Sequence, residues 1–169
     1  IVTEEVNQVK IPDWVFKGYG LPVESRNFSY VDMLNKEGLL VDHWRKGGSV
    51  PDISRQETQL WFYYLACSYI NVGCEAFHLG QIELIGMNDP ERDSWARVIA
   101  KIREYARTHA RRHWVLLDAH TPYGGMVRNG VSLLDFNSFP LDRSSAASDV
   151  YKRQASRKFL LNPIKLNLL

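Results

Sequence analysis

An alternation constrains this chain more than any other feature. Two stretches with helical periodicity are each followed, within a few residues, by a short and nearly continuous apolar run. Leu60, Trp61, Tyr64, Leu65 and Val72 mark the first helix. Trp95, Val98, Ile99, Ile102, Tyr105 and Ala106 follow i, i+3, i+4, i+7 spacing as one stripe in the second, with Arg97, Lys101, Glu104 and Arg107 on its other faces. The runs behind them are Cys74-Glu75-Ala76-Phe77-His78-Leu79-Gly80 and His113-Trp114-Val115-Leu116-Leu117-Asp118-Ala119-His120. Short, apolar and flanked by helices, they suit strands covered on both faces, as in parallel sheets. The order helix–strand–helix–strand predicts that residues 74–120 form a βαβ unit with parallel strands. The fold class expected is therefore α/β, built from parallel βα units.

Local signals supply the boundaries. Ser54-Arg55-Gln56-Glu57 reads as a capping box for the first helix, and Gly73 as its left-handed stop. Asp89 is the expected cap of the second helix, with Pro90 at its first position. Asn129-Gly130, between Met126-Val127-Arg128 and Val131-Ser132-Leu133-Leu134, predicts a type I′ hairpin near residues 126–134. Its second arm runs on through Asp135-Phe136 as another sheet strand. Upstream, Trp14-Val15-Phe16 reads as a strand. Residues 18–53 form a long loop-rich connection with a short helix near residues 31–40, and such connections in compact domains are usually functional.

At 169 residues, 45% of them apolar and 24% charged, the chain has the profile of one soluble globular domain. No apolar run approaches the ~18–20 residues of a membrane span. Cys67 and Cys74 are too few for a disulfide framework and too isolated for a zinc site, which predicts small buried hydrophobes. Six of the 21 Lys and Arg residues, and one of the 19 acids, lie within residues 143–169. The remaining 15 bases and 18 acids make residues 1–142 mildly acidic, and a nucleic-acid partner loses its support. Arg103, Arg107, Arg111 and Arg112 crowd the end of the second helix, where positive charge offsets the helix dipole.

The composition changes at Arg143. Residues 144–154, Ser-Ser-Ala-Ala-Ser-Asp-Val-Tyr-Lys-Arg-Gln, resemble a peptide string read through from adaptor sequence in assembled shotgun DNA. The resemblance implies a non-native or disordered tail over 143–169 and confines functional reading to residues 1–142.

Strand parity places the chemistry. Val115, Leu117 and Ala119 form one apolar face, while Trp114, Leu116, Asp118 and His120 form the other. In the first strand His78 shares its face with Ala76 and Gly80. Parallel strands bring their carboxyl ends to one edge, with neighbours ~4.8 Å apart, and α/β folds bind substrates at that edge. The candidate site is accordingly His78, Gln81, Glu83, Asp118, His120 and Asp135. Trp14 and Tyr123 are aromatics able to stack on a sugar ring. The set holds carboxylates, imidazoles and an amide; no P-loop or dinucleotide fingerprint accompanies it, and no cofactor is expected.

This strand-end pattern, Glu75-Ala76-Phe77-His78-Leu79-Gly80-Gln81-Ile82-Glu83-Leu84 with Trp114-Val115-Leu116-Leu117-Asp118-Ala119-His120, resembles part of a (β/α)₈ barrel of the glycoside-hydrolase type. The resemblance covers roughly residues 14–142 and lies in organisation more than in a diagnostic motif. Such barrels need ~250 residues, so it implies a partial, TIM-barrel-like fragment that ends near Asp142. It also implies carbohydrate hydrolysis by two carboxylates, Glu83 as acid/base and Asp118 as nucleophile or stabilising carboxylate. His78, Gln81, His120 and Asp135, with Trp14 and Tyr123, would bind the carbohydrate substrate. Glu83 departs from the family pattern by standing a few residues beyond its strand. Two alternatives stay open: a metal-dependent hydrolase using Asp118, His120 and His78, and a carbohydrate-binding barrel without catalysis. The oligomeric state is open as well.

Overall fold

The computed structural model describes residues 2–121 and 125–138; the tail expected at 143–169 lies outside them. In chain order the strands are β1 (Val2–Thr3), β2 (Gly48–Ser49), β3 (Ala76–His78), β4 (Leu116–His120), β5 (Val127–Arg128), β6 (Val131–Ser132) and β7 (Phe136–Ser138). The helices are α1 (Asp13–Tyr19), α2 (Tyr30–Met33), α3 (Gln56–Asn71), α4 (Ile82–Ile85) and α5 (Asp93–His109), with a 3₁₀ turn at Glu4–Gln8.

The central sheet has the order β3-β4-β7 and is parallel throughout. Helix α5 connects β3 to β4, as the βαβ pattern requires. Its stripe Trp95, Val98, Ile99, Ile102 and Ala106 is buried in one cluster with Val115, Leu117 and Ala119 of the β4 segment. Leu60, Tyr63, Ala66, Cys67 and Ile70 of α3 and Val15 and Phe16 of α1 complete that core. The predicted apolar face of residues 115–119 is thus the one that packs. The observed strands are shorter than the apolar runs, because Cys74, Glu75 and residues 113–115 form approach loops rather than ladder.

The hairpin forms as expected. Asn129 and Gly130 have φ of 52° and 75°, the left-handed pair a type I′ turn needs, and β5 and β6 pair around them. Gly73 also sits in the left-handed region, at φ 94°, and closes α3 through its amide to Ile70 O.

Four local expectations are corrected. Trp14-Val15-Phe16 lies in α1, not in a strand; Val15 and Phe16 are buried there and Gly20 stops the helix in the left-handed region. The helix near residues 31–40 is a single turn, α2, followed by loops in which Leu40 and Asp42 take positive φ. The capping box does not form, because each partner is engaged more strongly elsewhere. Ser54 Oγ donates to Asp52 Oδ1, and the buried Glu57 accepts two hydrogen bonds from Arg26, at 2.7 and 3.0 Å, and one from Ser29 N at 2.9 Å. A guanidinium fork on a buried carboxylate outcompetes a neutral backbone cap. Finally, α5 begins at Asp93 rather than Pro90, after a turn closed by Arg92 N to Asp89 O. Asp89 nonetheless caps it: its carboxylate accepts from Ser94 N and Trp95 N, both at 3.0 Å.

Of the cysteines, Cys67 is buried as expected and Cys74 is exposed. Burial pushes the Cys67 thiol up to about 12. The basic cluster at the end of α5 is more than a dipole effect. Arg111 and Arg112 both reach Glu75, at 3.3 and 3.5 Å, tying that end to the approach of β3.

Candidate functional site

Three co-directional strands place their carboxyl ends side by side, and the register decides which side chains meet. His78 stands opposite Asp118, Asp118 opposite Phe136, and His120 opposite Ser138. Alternation then puts His78, Asp118, His120 and Ser138 on the face turned away from the helical core.

Asp118 is held from both neighbouring strands. His78 Nδ1 lies 3.1 Å from Asp118 Oδ1, and Ser138 Oγ donates to Asp118 Oδ2. Both oxygens of the carboxylate are therefore oriented by the sheet itself. An ionised carboxylate only accepts, so His78 Nδ1 donates to Asp118, and in the neutral imidazole Nε2 is then the acceptor. The His120 ring meets the His78 ring edge-on, with centroids 4.6 Å apart. The His78 and Asp118 side chains are 43% and 28% exposed, so a solute can reach both.

A cavity of about 460 Å³ adjoins this group, running along β3 toward α3. His78, Gln81 and His120 line it at the carboxyl ends of the strands, and Tyr69, Phe77 and Trp44 contribute aromatic surface. No Asp, Glu, Lys or Arg lines it among the described residues. Gln81 stands there because Gly80, at φ 71°, turns the chain sharply from the end of β3 into α4.

The structure thus brings together His78, Asp118, His120 and Gln81. Glu83 lies on α4 beyond the same edge, but its carboxylate is turned to Arg92 Nη2 at 3.6 Å, and it lines no part of the cavity.

Two candidates have structural roles instead. Asp135 accepts from Leu117 N at 2.8 Å and from Arg103 Nη2 at 3.2 Å on both oxygens; it clamps the start of β7 to β4 and to α5. Trp14 packs among Tyr63, Tyr64 and Tyr105, with ring centroids 6.0, 6.1 and 5.9 Å away, and offers no platform beside the strand ends. It was drawn there because α1 buries its flank against α3 and α5. Tyr123 lies outside the described residues.

The metal alternative loses its ligand set. Among the described residues no three His, Cys, Asp or Glu side chains are placed to hold a metal ion. His78 Nδ1 and both Asp118 oxygens are already turned toward one another and toward Ser138.

Ser138 was missed by the sequence reading. The signal for it is the parity of β7: the strand runs past Phe136, so Ser138 shares Phe136's face and lands beside Asp118. Trp44 and Tyr69 had no such signal, since their positions at the cavity depend on the path of the 39–49 loop and the rotation of α3.

Comparison with protein-family models, with curated proteins and with solved structures finds no match.

Proposed function

We propose that the chain acts on carbohydrate as a glycoside-hydrolase-like protein, with Asp118 as its central strand-end carboxylate. One observation carries this reading: Asp118 sits at the carboxyl edge of a parallel sheet, fixed by His78 and Ser138 from the strands on either side, next to an uncharged cavity. Substrates of α/β folds bind at that edge. The exposed sheet face supports the barrel part of the proposal. Parallel sheets are ordinarily covered on both faces, yet Ala76 and His78 are exposed and Leu116, Asp118, His120, Phe136 and Ser138 only partly covered. Such a face is what the inner wall of a (β/α) barrel would present.

In glycoside hydrolysis one carboxyl group protonates the leaving oxygen while the other attacks or stabilises the anomeric carbon. Asp118 suits the second role, because its two anchored oxygens hold a negative charge in place without reorganisation. Glu83 remains the acid/base candidate. Its pairing with Arg92 is solvent-exposed and worth only ~0–1 kcal/mol, so the side chain can leave it on substrate binding. His78, Gln81 and His120 would take sugar hydroxyls. The carbohydrate-binding alternative is favoured by one detail, the position of Glu83 outside the cavity wall.

The test is single replacement, Asp118→Asn and Glu83→Gln, with hydrolysis and sugar affinity measured separately. The proposal expects turnover to be lost by at least ~10²-fold in each, as for removal of an acid or base, with affinity kept. Undiminished turnover in both would refute it, and affinity without turnover in the unaltered protein would establish the binding-only alternative.

A further inference from the structure

The cavity beside β3 combines a few polar groups with an extensive aliphatic and aromatic wall. At the carboxyl ends of the strands it offers hydrogen-bonding groups, from His78, Gln81 and His120. The rest of its wall is apolar, formed by Phe62, Leu65, Leu79 and Ile85 with the aromatics Phe77 and Tyr69. Tyr69 and Phe77 are neighbours, with ring centroids 6.4 Å apart. Trp44 and Tyr69, both on the cavity wall, are 44% and 52% exposed, a large amount of aromatic surface to leave in water at one place.

We infer that this cavity binds the apolar aglycone, an aryl or alkyl group, of a neutral glycoside whose sugar faces Asp118. The inference rests on the carbohydrate reading proposed above and extends it to the substrate class. Three observations carry it. The volume of about 460 Å³ falls within the ~300–1,000 Å³ of small-molecule sites. The absence of charged side chains from its described lining matches a neutral ligand and disfavours phosphate- or carboxylate-bearing ones, whose charge would be desolvated without a partner. The mixed lining matches an amphiphile, with the polar groups of His78, Gln81 and His120 beside an apolar wall. His120 adds to this, since its Nδ1 is buried with no hydrogen-bond partner among the described residues.

A panel of 4-nitrophenyl glycosides and the corresponding methyl glycosides, added to the full chain, tests the inference by ligand-observed saturation-transfer NMR. Aromatic protons of the nitrophenyl group are expected to receive saturation, and the aryl glycosides to bind at least ~10-fold more tightly than their methyl counterparts. Trp44→Ala and Tyr69→Ala are exposed positions whose loss leaves the core intact, and each is expected to weaken aryl binding roughly 3–10-fold, the range of one aromatic contact. Equal binding of methyl and aryl glycosides, or no effect of either variant, overturns the inference. Release of nitrophenolate is read separately. Aryl binding without hydrolysis refutes the catalytic reading and leaves the aglycone site standing, while hydrolysis indifferent to the aryl group does the reverse.

Discussion

Replacing Asp135 separates a structural role from a catalytic one. Its carboxylate accepts from the amide of Leu117, a residue with no exposed surface, and from Arg103 Nη2. In Asp135→Ala the Leu117 amide, paired through that side chain, loses its acceptor inside the sheet. An unsatisfied buried donor costs about 1–3 kcal/mol. The Arg103 pair is partly exposed, 39% on the arginine side, and adds only ~0–1 kcal/mol. The total is about 1–4 kcal/mol. Asp135→Asn keeps an oxygen facing the amide and should cost below about 1 kcal/mol, the ion pair with Arg103 being the main loss. Urea unfolding reads the difference. With a slope of about 1–3 kcal/mol/M, the alanine variant should lower the midpoint by roughly 1 M, with little change in slope. Amide exchange gives the local readout, since Leu117 should lose protection in the alanine variant and largely keep it in the asparagine one. Equal stability of all three proteins would refute the clamp. So would an asparagine variant that keeps its stability but loses turnover, which would return Asp135 to the substrate site.

Other consequences are as specific. Cys67, with its thiol pushed up to about 12, should resist iodoacetamide in the folded protein at mildly alkaline pH, while the exposed Cys74 is labelled; mass spectrometry of the two peptides checks this. An acid whose folded pKa is raised stabilises the fold below its unfolded value and loses that contribution above it. Stability should therefore fall as pH rises from about 9 to about 12, and part of that fall should vanish in Cys67→Ala. A Cβ placed on Gly18 would overlap the Tyr63 ring, so Gly18→Ala should destabilise by about 1–3 kcal/mol in thermal unfolding. Adding Tyr63→Leu should recover part of the loss.

What the sequence disclosed and what it concealed divide along the range of the interactions. The α5 stripe, the Asn129-Gly130 turn and the packed face of residues 115–119 are set by periodicity within a few residues, and all could be read directly. The meeting of His78 with Asp118 was legible too, because parallel strands with matched parity have few other arrangements. The capping box failed for a non-local reason: Arg26, 31 residues upstream, takes the Glu57 carboxylate. Trp14 failed for a similar one. Three consecutive apolar residues carry no period, and their burial in a helix packed against α3 and α5 is a tertiary outcome. Asp135 and Ser138 exchanged roles because the β4–β7 register is set by contacts across the sheet. That register hands the earlier residue to the backbone of β4 and the later one to Asp118.

Adjacent co-directional strands bring His78 and Asp118 into one hydrogen-bonded unit. The most direct measurement is the tautomer of His78, from long-range imidazole nitrogen–proton correlations in the unaltered chain and in Asp118→Ala. In the neutral imidazole the Nδ1–H tautomer is predicted in the former, shifting toward Nε2–H once the carboxylate is removed. An Nε2–H tautomer in both proteins would show that His78 and Asp118 do not form that unit.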